Sequence, residues 1–264
     1  MSTHGNDKLL VSVKDGIKRI TFNAPERRNA VDQEMMERLR DILEETVTDN
    51  SRVVILTGAG DAFCAGADVK GMRRRDGEPF DVTEHLRRVT NPTILALRTM
   101  PKPVIARVHG PAVGIGCNYA LAADIRIAST AAQFGQVFSR IGLIPDGGGT
   151  YFLPRLVGYA KAFELMVTGD VITAEQAFAM GLVNRVVPFE ELDAEVDRWA
   201  ARLNSAPAVA FAGIKKALAY GETHTLAEAL DCEAVTQAAC FQSEDFREGV
   251  AAFVEKRKAV FRGR

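Results

Sequence analysis

"PKPVIARVHGPAVGIGCNYALAADIRIASTAAQFG", residues 101–135, decides the fold. "PKPVIARVHG" reads as a buried strand. After its glycines, "GIGCNYALAAD" reads as a helix, and "DIRIASTAAQFG" carries a further strand. Working outward, "RVVILTGAG" (52–60) is another buried-type strand that ends in glycines. "LLVSVKDGIKRITFN" (9–23) reads as two short strands around the Asp15-Gly16 turn, a hairpin signal. "NAVDQEMMERLRDILEETVTD" (29–49) places Val31, Met35, Leu39, Ile42 and Leu43 on one helical face. Buried strands alternating with glycine loops and helices indicate an α/β fold.

The pattern changes near "LNSAPAVAFAGIKKAL" (203–218), beyond which the chain reads as helix to its end. "TLAEALDCEAVTQAACFQ" and "SEDFREGVAAFVEKRKAVF" are both amphipathic. A boundary near residue 205 divides a core, 1–205, from a helical region, 206–264. The second segment is too short and too one-sided to stand alone, so it is expected to pack on the core or on another subunit.

Thirty-three basic and 34 acidic residues among 264 leave a formal charge of −1, with no global field to recruit nucleic acid or a membrane surface. The most apolar stretch, 103–128, is interrupted by Arg107, His109, Asn118, Asp124 and Arg126, and cannot span a bilayer. Cys64, Cys117, Cys232 and Cys240 show no metal-ligand spacing and read as core thiols of a reducing compartment. No signal peptide is legible in "MSTHGNDKLL", and a cytoplasmic protein is expected.

Two glycine segments, "GAGDAFCAGADVKGM" (58–72) and "HGPAVGIGCNYALAAD" (109–124), follow strands without matching a nucleotide-phosphate motif. Both read first as tight turns between strand and helix, and second as bare backbone N–H groups beside a helix start that can donate to an anion or a polarised carbonyl. A third segment, "SRIGLIPDGGGTYFLPRLVG" (139–158), sets one carboxylate, Asp146, before three glycines. Asp146 reads as a helix N-cap or as a proton-transfer group. If Ile141, Leu143 and Ile144 wall it in, its pKa rises. His109 reads first as a histidine packing its turn. "MRRRDGE" (72–78) reads first as a solvated basic run and second as a phosphate contact.

The stretches "ITFNAPERRNAV", "AFCAGADVK", "VHGPAVGIGCNYALAADIRIAS", "FGQVFSRIGLIPDGGGTYFLPRLVG", "AEQAFAMGLVNRVVP" and "FVEKRKAVF", in this order along nearly the whole chain, resemble the crotonase family, the enoyl-CoA hydratase/isomerase superfamily. The resemblance implies a spiral of ββα repeats with a C-terminal helical trimerisation region, hence a homotrimer or a dimer of trimers. It implies an acyl-CoA thioester substrate, with coenzyme A entering as part of that substrate and no separate cofactor or metal. The backbone N–H groups of Ala67 and Ile115 would form the oxyanion hole, and Gly114 would let the backbone approach the thioester. Ala65, Asp68 and Lys70 would lie along the bound thioester, with Lys70 toward coenzyme A; from the residues alone, Asp68 reads as the cap of the helix after the first loop. Phe253 and Lys256 would reach the adenine and phosphate of a neighbouring subunit's ligand.

The hydratases of the family use two glutamates, which would fall at Asn118 and Phe138. A phenyl ring transfers no proton and an amide is a poor base, so the residues argue against two-glutamate hydration. The combination of Asn118 with "IPDGGGT" is most similar to phenylacetate-pathway isomerases, with a catalytic carboxylate at Asp146. The implied chemistry is a 1,3-proton shift with Asp146 as base, Phe138 as an apolar wall, and Asn118 orienting substrate or Asp146, or satisfying loop backbone. Thioester hydrolysis, a hydratase-like lyase reaction and a non-catalytic CoA-ester-binding subunit remain open alternatives.

Overall fold

The computed structural model describes residues 8–69 and 81–264. Its strands are β1 (Leu9–Lys14), β2 (Ile17–Phe22), β3 (Val53–Gly58), β4 (Val104–Val108), β5 (Pro111–Val113), β6 (Ile125–Ser129), β7 (Gln133–Gly135), β8 (Val171–Thr173) and β9 (Arg185–Val187). The hairpin β1–β2 turns at Asp15 (φ 50°) and Gly16 (φ 80°), consecutive left-handed residues that suit a tight two-residue turn. From β2 onward, one sheet grows by parallel pairing in the order β2-β3-β4-β6-β9, and β5-β7-β8 form a second. The chain visits the first sheet, then the second, then a helix, and repeats. β4, β5 and the next helix make one turn of this ββα spiral.

The helices are α1 (Gln33–Thr48), α2 (Val82–His85), α3 (Asn91–Thr99), α4 (Ile115–Ala122), α5 (Gly149–Val157), α6 (Tyr159–Thr168), α7 (Ala174–Ala179), α8 (Leu192–Asn204), α9 (Ala208–Gly221), α10 (Leu226–Gln242) and α11 (Glu244–Val254). Asp32 caps α1 by accepting from the Met35 amide, and Met35, Leu39, Ile42 and Leu43 are buried as their spacing predicts. Val31 departs from that expectation. It lies ahead of the helix and forms a parallel bridge with Ala67.

The central strands β3, β4 and β6 are buried on both faces, which explains why they read as nearly continuous apolar runs, whereas β1 at the edge is exposed along most of its length. Val54, Leu56, Val104 and Ala106 face the main core, whereas Val53, Ile55, Ile105 and Ile127 face Leu192, Val196 and Ala200 of α8. Two buried ammoniums share one carboxylate: Lys102 Nζ donates to Asp49 Oδ1 at 2.7 Å, and Lys18 pairs with the same group. After residue 205 all elements are helices. The helix α10 buries none of its residues, and Leu226, Leu230, Val235 and Phe241 stand exposed. Among the described residues no helix is long and apolar enough to cross a membrane.

Candidate active site

The first glycine loop is held by the segment before α1. Arg28 (φ 52°) and Asn29 (φ 57°) turn the chain left-handed, and buried Asn29 accepts from the Ala24 amide while donating to the carbonyls of Ala59 and Ala62. The turn presents the Arg28 carbonyl to the Ala65 amide at 2.9 Å, the Val31 amide to Gly66 O at 2.8 Å and Val31 O to the Asp68 amide at 2.8 Å. These bonds take the amides of Ala65 and Asp68 and the carbonyl of Gly66, and none of them takes the Ala67 N–H. Gly66 needs its φ of 99°, open to glycine at little cost.

The second loop ends at Gly114, whose φ of 57° starts α4 and whose amide donates to Gly135 O at 2.9 Å. Ile115 is the first helical residue, and an α-helix gives that amide no internal acceptor. Among the described residues neither Ala67 N–H nor Ile115 N–H donates to the protein. The loops are laced together by main chain: Cys64 N–H donates to Pro111 O at 3.0 Å and Val113 N–H to Cys64 O at 3.1 Å. Gly116 sits so close that a side chain there would meet Cys64 Sγ at 2.8 Å. Two free amides on two joined loops can polarise one carbonyl oxygen.

Asp146 lies just before α5. The residue capping that helix is Gly148 (φ 78°), and no side chain caps it, so the helix-cap reading of Asp146 is overturned. Asp146 Oδ1 is buried without a hydrogen-bond partner. Burial pushes the carboxyl up to about 6, opposed only by its own backbone N–H. The expected wall is wrong in its members: Ile141, Leu143 and Ile144 are 59, 53 and 79% exposed. Ile141 ends a 3-10 turn (Val137–Ile141) and Leu143 and Ile144 follow it, all three facing outward. The adjoining backbone packs against α4: a side chain at Gly147 would collide with Ile115 Cδ1 and lie 3.6 Å from Asn118 Cβ, and the Tyr119 phenol of α4 is close enough to Asp146 to feel its charge.

Phe138 is buried, its ring edge 3.9 Å from where a Gly114 side chain would begin, and so forms an apolar wall beside the second loop. Asn118, expected to orient the substrate or Asp146 or to satisfy loop backbone, is fully buried. Its Nδ2 donates to the Asp146 carbonyl at 2.7 Å, and its Oδ1 accepts from Gln136 Nε2 at 2.7 Å. Sequence reasoning missed Gln136, although it stands inside "FGQVFSRIG". It also missed Arg27, whose guanidinium joins Asp32 at 2.8 Å to Asp68 at 3.2 Å.

The remaining candidates divide. Ala65, Ala67 and Asp68 are half-buried on the first loop. Lys70, the helix that Asp68 would cap and the run 72–78 lie outside the described residues. His109 packs its turn, with Nε2 3.1 Å from Gly60 O, and burial pushes its pKa down. Burial pushes the Cys64 and Cys117 thiols up to about 12, which leaves them unreactive. Phe253 is 85% exposed, and Lys256 is exposed just after α11 at a left-handed φ of 54°.

Two unengaged amides, one carboxyl with a raised pKa and an apolar wall make a centre for stabilising an enolate and moving a proton. Comparison with known proteins agrees: the family model described as enoyl-CoA hydratase/isomerase matches residues 12–264. The chain belongs to the enoyl-CoA hydratase/isomerase family. Within this crotonase family it is 40% identical to the 1,2-epoxyphenylacetyl-CoA isomerase of Escherichia coli, over 97% of this chain and 98% of that one. It is 36% identical to the crotonyl-CoA hydratase of Syntrophomonas wolfei, over 97 and 98%. The crystal structure of an enoyl-CoA hydratase from Bacillus anthracis superposes with a TM-score of 0.92 at 34% identity, covering 98% of this chain and all of that one. The crotonase-type fold and family are thereby shown, and relatives carry both isomerase and hydratase names.

Proposed function

We propose that the protein is an enoyl-CoA double-bond isomerase. The observation that carries this reading is Asp146 Oδ1, the only buried carboxylate oxygen without a partner among the described residues. It stands close to the start of α4, and the two positions where the family's hydratases carry acids hold Asn118, in α4, and Phe138, in the turn after β7. The thioester oxygen accepts from the amides of Ala67 and Ile115. Asp146 takes a proton from the α-carbon of a β,γ-enoyl thioester, the C–H electrons move into a dienolate, and the same carboxyl returns the proton at the γ-carbon. One base is sufficient because the proton stays on one face, and the shift balances without a cofactor or metal. A pKa of about 6 leaves Asp146 ionised at neutral pH yet more basic than an ordinary aspartate. Phe138 excludes water from the dienolate.

The substrate is read as a coenzyme A thioester lying along Ala65, Gly114 and Asp68, with Lys70 toward the coenzyme. The exposed apolar residues of α10 support a homotrimer or dimer of trimers, in which Phe253 and Lys256 serve a neighbouring copy. A cytoplasmic location belongs to the same reading.

The test is proton exchange in D2O with a β,γ-enoyl-CoA. Deuterium incorporation with migration to the α,β isomer, lost in Asp146→Asn, is the expected result. Full activity in Asp146→Asn overturns the role of Asp146. Release of free CoA would make the protein a hydrolase, a hydrated product would make it a lyase, and binding without exchange would make it a carrier of CoA esters.

A further inference from the structure

The Asp146 carbonyl oxygen accepts two bonds, from the Gly149 amide at 3.0 Å and from Asn118 Nδ2 at 2.7 Å. The second requires Asn118 to present its NH2 end, since the opposite orientation would set two acceptor oxygens face to face. With that end committed, Asn118 Oδ1 must find a donor in a fully buried place, and Gln136 Nε2 supplies it at 2.7 Å. The direction of each amide follows from the carbonyl at the end of the row. Gln136 Oε1 is left buried and unpartnered at the far end. Gly149 lets the row pass beneath the start of α5, for a side chain there would lie 2.8 Å from Asn118 Nδ2 and 3.0 Å from Gln136 Oε1.

We propose that Gln136 is a positioning residue for the reaction: it fixes the orientation of the Asn118 amide and thereby the main chain that carries Asp146. The inference rests on the isomerase reading and deepens it. Gln136 touches no substrate and acts through two hydrogen bonds in series. Two neutral amides hold the base without adding a charge beside it. The titratable groups around the row are Asp146 before α5 and, on α4, the thiol of Cys117 and the phenol of Tyr119. Burial pushes both α4 groups upward, so only Asp146 titrates in the working range. Arg126, from β6, lies close enough to Cys117 to act on it electrostatically.

The test compares kcat, KM and their pH dependence in the wild type, Gln136→Met and Gln136→Glu. With Gln136→Met, kcat falls about 10- to 100-fold while KM stays within about threefold, as expected for a lost buried hydrogen bond. With Gln136→Glu, the protonated carboxyl donates to Asn118 in acid and fails once ionised. The wild-type rise of kcat with pH becomes a bell, a change that a merely structural defect would not produce. Wild-type kcat in Gln136→Met, or a wild-type-shaped profile in Gln136→Glu, overturns the proposal. Should Gln136→Met not fold, the Gln136→Glu profile decides alone. If the wild type catalyses no exchange, the isomerase reading fails separately, and 13C NMR titration of the Asp146 carboxyl decides this one. A midpoint that drops toward the ordinary aspartate value in Gln136→Met supports it, and an unchanged midpoint overturns it.

Discussion

Asn118 Nδ2 lies 2.7 Å from the carbonyl oxygen of Asp146, so the residue where the family's hydratases carry an acid serves the backbone of the remaining acid. On the proposed reading, the amide does no chemistry and sets where chemistry is done. Asn118→Leu keeps the volume and removes both hydrogen bonds. A buried unsatisfied group costs roughly 1–3 kcal/mol, and kcat for isomerisation is expected to fall about 5- to 100-fold with KM little changed. Steady-state kinetics check this, and a loss confined to KM would return Asn118 to the substrate.

Asp146 makes the fold pH-dependent in a definite direction. Its folded pKa is raised, to about 6 from an ordinary 3.8, so the fold prefers the protonated carboxyl. That preference is fully present below the ordinary value and is lost as pH rises through about 6. At pH 8 the ionised group costs on the order of 2–3 kcal/mol, and Asp146→Asn should raise Tm by several degrees. Near pH 3 the two proteins should melt together. Equal Tm values at pH 8 would show that Asp146 is solvated.

Gly116→Ala tests the lacing of the two loops. The new methyl group would press on Cys64 O, Cβ and Sγ, and backbone cannot yield as a flexible side chain can. Moving the Cys64 rung displaces one amide relative to the other, and losing one oxyanion donor costs about 2.7–4 kcal/mol. A fall of about 100-fold or more in kcat is expected, with the secondary structure retained by circular dichroism.

The carboxylate of Asp49 holds two buried ammoniums, those of Lys18 and Lys102. Burial alone would push its pKa up, but hydrogen bonds from Lys102, Lys18 and Ser51 outweigh that and hold it well below the usual carboxylate range. Its stabilisation is present above the ordinary pKa and fades in strong acid as the carboxyl protonates. Asp49→Ala is expected to destabilise by about 3–5 kcal/mol, read as a lower urea midpoint at pH 7. A change below about 1 kcal/mol would show that the backbone carbonyls around Lys102 are enough.

The strands, the α1 face and the glycine loops were legible because each rests on local pattern: Val53 to Leu56 are apolar throughout, and Asp15-Gly16 suits only a few turns. The surroundings of Asp146 were legible only in part. Ile141, Leu143 and Ile144 are apolar and close in sequence, yet they stand exposed, and the backbone next to Asp146 packs instead against Ile115 and Asn118 about 30 positions earlier. Val31 fitted a helical period but was drawn into a bridge with Ala67, a long-range pairing that periodicity cannot register. Gln136 carried no signal of its own, since a buried glutamine is explained only by the partner it meets.

The rung at Cys64 and the amides it spaces are made of main chain alone, so the chemical centre is nearly invisible to substitution. On the proposed reading, an alanine scan would find Asp146 and Phe138 and pass over both proposed donors, one of which already sits on an alanine. Replacing the amide of residue 67 or 115 with an ester by semisynthesis would expose them. Selection has the same blindness: side chains along both loops can drift with the acyl group to be accommodated while the anion site stays in place.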